Sequence, residues 1–178
     1  MKRSHFYLML VLLGVSMLVF VIYSYYPKDV LINTQGIKYR LGNVEYEQSI
    51  HVLVKGKMYK SFSGNRTFRG VIELEGEDLP VPQSQRQLEL HFFKEFFAVF
   101  IYPYVENGRP FHHIVGTLYL DKDFTKATIT LLEKQEDQRE SWNGTNGLMI
   151  TAPASNRREA IDISNELMNK YLDGFRLK

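Results

Sequence analysis

From Phe6 to Tyr23 the chain runs for eighteen residues without a charged side chain, and Lys2 and Arg3 stand just before it. As a helix rising ~1.5 Å per residue, this run reaches about 27 Å; carried to Tyr26 it reaches about 31 Å, the hydrocarbon thickness of a bilayer. Val, Ile, Leu, Met and Phe fill it, broken only by Tyr7, Gly14, Ser16 and Tyr23. The strongest apolar residues each favour insertion by roughly 0.3 to 0.6 kcal/mol, and no Asp, Lys or Arg opposes them. The first expectation is a membrane-spanning helix over residues 6–26, with Phe6, Leu12, Gly14, Phe20 and Tyr26 along its length.

Two other readings compete with it. A buried core helix would carry a polar stripe at a period of 3.6, whereas this segment is apolar on all sides. A cleaved signal peptide has a shorter apolar region followed by small residues; here the exit reads Ile22, Tyr23, Ser24, Tyr25, Tyr26, Pro27, with bulky rings where a peptidase needs small side chains. The retained signal-anchor is the better fit. Lys2 and Arg3 on the short side keep residues 1–5 in the cytoplasm and direct the remainder outward. Tyr23, Tyr25 and Tyr26 suit one headgroup zone, and Phe6 with Tyr7 the other. Gly14 and Ser16 lack GxxxG spacing, so helix pairing draws little support.

The rest of the chain suffices for one domain. With no cysteine it has no disulfide, thiolate metal site or cysteine nucleophile, a pattern that leans towards a Gram-positive envelope. Asn65-Arg66-Thr67 and Asn143-Gly144-Thr145 are glycosylation sequons only in a eukaryotic host. Two of the 22 basic residues precede the span, and the remaining 20 balance 20 acidic residues. A neutral domain argues against nucleic acid.

Residues 27–43 show no sustained period and read as a juxtamembrane linker punctuated by Asn33, Gly36 and Gly42. From Val44 alternation takes over: Ile50, Val52 and Val54 share a face, Gly56-Lys57 offers a turn, and Ser63-Gly64-Asn65 offers another. Phe68, Gly70, Ile72 and Leu74 follow on one face, and Pro80 with Pro82 breaks the pattern into a loop. The runs around Leu88–Phe92, Phe96–Tyr104, Ile114–Leu120 and Ala127–Leu131, joined by short turns such as Asn107-Gly108, make an antiparallel meander. Lys134 to Asn146 reads as an exposed loop and Leu148 to Thr151 as a short strand. Asn156 with Glu159 is a capping-box pattern opening a helix that Gly174 closes. The expected fold is α+β: an N-terminal transmembrane helix, then residues 44–178 as an extracytoplasmic domain of mostly antiparallel sheet with one C-terminal helix packed on it.

Signals for chemistry are weak. His112-His113 tempts as a metal or acid-base pair, but neighbours on a strand face opposite ways. Asp121-Lys122-Asp123 opens like a calcium loop yet has Lys126 at the sixth place and Leu132 at the twelfth, so it reads as a turn. Glu73, Glu75, Glu77 and Asp78 form an acidic run that suits a solvated face. Arg157-Arg158 at a helix start would need an anion to offset the macrodipole. The dense rings Phe92, Phe93, Phe96, Phe97, Phe100, Tyr102 and Tyr104, and the lone Trp142, are candidate contact surfaces. No residue is assigned as catalytic, cofactor-binding or metal-binding; Trp142, His112, His113, Arg157 and Arg158 stand as binding-surface candidates.

The leading functional expectation is a single-pass membrane protein, anchored in the lipid bilayer through Phe6 to Tyr26, whose outer domain is a non-enzymatic binding or accessory module for an envelope component or membrane-protein partner. A membrane-anchored hydrolase of an envelope polymer or lipid, using residues such as Glu73, Glu75, His91, His112 and His113, is the alternative. A sensor or regulatory subunit is a third, handicapped by its few cytoplasmic residues.

Overall fold

The computed structural model describes residues 3–93, 97–134 and 139–178; Lys2 and Phe96 lie outside the described residues. The apolar run forms helix α1 (Arg3–Tyr25), which includes Phe6. Only Tyr26 and Pro27 separate it from strand β1 (Lys28–Arg40), so the stretch expected to be a linker is instead a strand at the centre of the sheet. The sheet therefore begins at Lys28, ahead of Val44. The reason lies in how β1 is covered. Val30 and Ile32 point to one face, whereas Ile37 and Tyr39, with Leu41 just beyond, belong to a cluster on the other face, so no single alternation runs its length.

Beyond β1 come β2 (Asn43–Lys60), β3 (Arg66–Leu74), β4 (Leu88–Phe92), β5 (Phe97–Glu106), β6 (Arg109–Leu120), β7 (Ala127–Leu131), a two-stranded ribbon of β8 (Glu133–Lys134) and β9 (Glu140–Ser141), and β10 (Leu148–Ala152). The main sheet has the order β4-β3-β2-β1-β10-β7-β6-β5 with every ladder antiparallel. Its two edges, β4 and β5, are consecutive in the chain and lie side by side. Phe93 N–H donates to the Phe97 carbonyl at 3.0 Å across this seam. All eight strands send side chains to one interior cluster, among them Val52, Phe68, Ile72, Leu90, Phe100, Tyr102, Leu118, Ile129 and Ile150. The sheet is thus curled into an up-and-down barrel that β10 completes between β1 and β7.

The turn expected at Gly56-Lys57 does not occur. Gly56 lies within β2 opposite Gly70 of β3, and a methyl group on Gly70 would collide with the Lys55 carbonyl oxygen and the Phe68 ring. The glycine pair lets the two backbones bend closely around Phe68, which is fully buried. On β6 a register shift opposite Phe100 and Ile101 changes which residues face inward. Leu118 and Leu120 face the interior on one side of it, and Val115, the extra residue at the shift, also joins the interior cluster.

The C-terminal helix is packed near the sheet. It comprises α2 (Arg157–Leu167) and a short α3 (Asn169–Leu172), interrupted at Met168, rather than one run to Gly174. Asn156 Oδ1 accepts from Glu159 N–H at 3.0 Å, and Glu159 Oε2 accepts from Ser155 N–H at 2.8 Å, so the capping interactions form. Ala160, Ile161 and Met168 cover the outer face of β1, β10 and β6 through Ile37, Tyr39, Met149 and Tyr119. Asn165 then clasps the tail, accepting from Leu177 N–H (2.9 Å) and donating to Leu177 O (3.2 Å).

Candidate functional site

Antiparallel strands place the start of β1, the β2–β3 turn, the β4–β5 turn and the β6–β7 turn at one end of the barrel, the end that α1 joins. Tyr26 N–H donates to Ile22 O at 2.9 Å, extending the helical pattern to the doorstep of β1. The Tyr25 ring lies 4.4 Å from that of Phe62, and the Lys60 ammonium sits 5.8 Å from the Tyr25 ring centroid. The apolar helix and the β2–β3 turn therefore meet at one point.

That turn, Ser61 to Asn65, is held by its own polar groups. Ser61 N–H donates to Asn65 O at 2.9 Å, Gly64 N–H to Ser61 O at 2.9 Å, and Asn65 N–H to Ser61 Oγ at 3.1 Å. Gly64 adopts φ +85°, which only glycine enters without strain. The result is a fixed loop presenting Phe62, 84 % exposed, beside exposed Lys28, Lys57 and Lys60. One strand further along the sheet, Phe93 is 58 % exposed and stacks on Phe97 at 5.2 Å. Of the aromatic run, Phe92, Phe100 and Tyr102 fill the interior and half-buried Phe97 packs against the helix cluster.

At the β6–β7 turn the carboxylate of Asp121 is taken up by its own loop: Oδ1 accepts from Thr125 N–H (2.7 Å) and Lys126 N–H (2.9 Å), and Oδ2 from the Thr125 hydroxyl (2.8 Å). Lys126 reaches Glu166 at 2.8 Å across an open groove of about 580 Å³ between this turn and α2–α3. Tyr119 lines the groove, and burial raises its phenol well above the usual range, with Tyr171 adding to the effect. Among the described residues no three of His, Asp and Glu come together as a metal site would require.

The binding-surface candidates are dispersed. His112 is exposed opposite Pro103, while His113 is half-buried opposite inward-facing Tyr102, so the two lie on different faces of β6 near the far end of the barrel. Arg157 is half-buried and ties two chain segments, its Nη2 donating to Arg40 O (3.2 Å) and Lys178 O (3.1 Å). Arg158 is exposed in a shallow depression with Glu159, Asp162 and Glu166. Trp142 folds back, half-buried, against the helix-side cluster beside Gly147. Glu73 and His91 are exposed on strand faces, Glu75 is exposed in the turn after β3, and Glu77 pairs with Lys38 at 2.5 Å.

Phe62 carries no signal of its own in the sequence. The nearby Ser-Gly-Asn turn signal was the clue that it sits at a tip. No family model matches the chain, and it resembles no curated protein and no solved structure closely enough to register as a match.

Proposed function

We propose that this chain is a single-pass membrane protein in which α1 is a retained signal-anchor with its N-terminus in the cytoplasm, and the barrel is an extracytoplasmic binding or accessory module for an envelope component or a membrane-protein partner. The observation carrying this reading is that every side chain from Tyr7 to Phe20 is exposed, on a helix long and apolar enough to cross a bilayer. Left in water, each large apolar side chain forgoes about 1.5 to 3 kcal/mol of burial, a sum that only lipid or a partner helix restores. Retention is supported by the junction: the helix persists to Tyr25 and β1 starts at Lys28, leaving no extended small-residue stretch for a peptidase. Orientation rests on Lys2 and Arg3.

A binding role rather than a catalytic one is favoured by how the polar candidates are used. Arg157 and Asp121 satisfy backbone groups of their own fold, and His112 and His113 diverge.

The test combines three measurements on the full-length protein in cells. Carbonate-washed membranes are expected to keep the protein, its mass is expected to include residues 1–26, and protease added to intact cells is expected to remove an epitope at Lys178. A shortened mass identifies a cleaved signal, a soluble full-length protein removes the anchor, and a protected epitope reverses the orientation.

A further inference from the structure

Resting on the anchor reading, we infer that the barrel end beside α1 is a second, independent membrane contact: Phe62 and Phe93 enter the boundary between headgroups and acyl chains of an anionic lipid surface while Lys28, Lys57 and Lys60 meet the headgroups. Three observations carry it. First, geometry fixes the depth. Tyr25 closes the apolar helix, and its ring touches that of Phe62 at 4.4 Å, so when α1 spans the bilayer the β2–β3 turn lies at the same level as the helix exit. Second, two exposed rings stand at this end, and Phe62 is the most exposed ring of the barrel. Phe62 is 84 % exposed on a turn braced by Ser61, Gly64 and Asn65, and Phe93 is 58 % exposed just past β4, whose Phe92 pairs with Arg66 at the start of β3. Neighbouring strands are ~4.8 Å apart, so the two rings project from adjacent turns. Third, the charge is complementary. Lys28, Lys57 and Lys60 are exposed on the same end, with Asp29 offsetting only Lys57 at 3.7 Å. Rings flanked by lysines make the pattern of an interfacial anchor, in which apolar burial and attraction to anionic lipid act together.

The two-residue connection Tyr26-Pro27 strengthens the case, because it cannot lift the barrel clear of the surface. The domain is docked on the bilayer by its end, with the β5–β6 hairpin pointing away.

The chain has no cysteine, so single-cysteine variants of the full-length protein accept one spin label each. Leu12→Cys, Ser63→Cys and Glu106→Cys are reconstituted in vesicles of phosphatidylcholine mixed with phosphatidylglycerol, and the label's collision rates with oxygen and with a water-soluble nickel chelate are compared. The expected result is an acyl-region signature at Leu12→Cys, an interfacial one at Ser63→Cys and an aqueous one at Glu106→Cys. Adding Phe62→Ser is expected to lower the Ser63→Cys oxygen-to-nickel ratio by about tenfold, since burying one phenyl ring corresponds to at least that factor in partition. An aqueous signature at Ser63→Cys alongside an acyl signature at Leu12→Cys overturns the second contact and leaves the anchor standing. An aqueous signature at Leu12→Cys overturns the anchor itself. An interfacial signature that Phe62→Ser leaves unchanged also overturns the assignment to Phe62.

Discussion

The hydroxyl of Tyr39, on β1, lies 2.7 Å from the Ser164 hydroxyl on α2. Ser164 is in turn 2.7 Å from Thr151 and 3.1 Å from Thr128, so three strands and the helix share one buried hydroxyl cluster. Such a network stabilises only when every member is satisfied, and here it fixes where the helix docks.

Ser164→Ala removes the hub and leaves the Tyr39 hydroxyl with Thr151 and the weakly accepting Met149 sulfur, 3.5 Å away. We expect a loss of about 1 to 3 kcal/mol, with Tyr39→Phe costing less because it removes a donor and leaves no buried orphan phenol. Urea unfolding of the two single variants and the double variant measures this; strictly additive losses would show that the two hydroxyls are not coupled.

Gly70→Ala drives a methyl group into the Lys55 carbonyl and the Phe68 ring, with no flexible atom to yield. A loss of at least about 1 to 3 kcal/mol is expected. Gly14→Ala, where the added methyl meets nothing within 4 Å, is expected to leave domain stability unchanged. Thermal melts in the same detergent compare the pair directly.

Gln85 acts as a one-residue strand at the edge of β5: its Nε2 donates to Val105 O at 3.1 Å and its Oε1 accepts from Val105 N–H at 2.6 Å. Replacing it with Ala frees both groups. Amide hydrogen exchange at Val105 should accelerate markedly while Ile129 in the core stays protected, at a global cost of about 1 kcal/mol. Equal exchange at Val105 in both proteins would contradict the clamp.

Burial raises the phenols of Tyr39, Tyr102 and Tyr119 above the ordinary tyrosine value; Tyr102 also donates to Ile72 O at 2.7 Å. In the unfolded chain these groups ionise first, near pH ~10, so their contribution is complete below that pH and declines as pH climbs towards the folded values. The urea midpoint is expected to fall as pH rises above ~10, with ultraviolet phenolate absorbance lagging that of the denatured protein. Tyr119→Phe should flatten the decline.

Local chemistry is what the sequence makes readable. The capping pair Asn156 and Glu159, the turn at Asn107-Gly108 and the strands carrying Val52, Phe68 and Leu90 follow from spacing within a few residues. β1 escaped because its two ends are covered on opposite faces, and Gly36 interrupts the run where the backbone approaches Thr151 and Ala152. Gly56 imitates a turn while serving a bend inside a strand. Pairing of β1 with β10 joins Lys38 to Ile150, and no short window contains such a partner. The candidate surface was legible in its helix and tyrosines but not in Phe62, whose role depends on Tyr25 lying against it in three dimensions.

Because β10 is made after every other strand yet fits between β1 and β7, ribosomal synthesis leaves the β1–β4 half with an unpaired central edge for most of its duration. Until Ala152 has been made, that edge is open to pairing with other chains. Polypeptides stopped short of Leu148 are expected to aggregate rather than mature, as aggregation of nested C-terminal truncations would reveal.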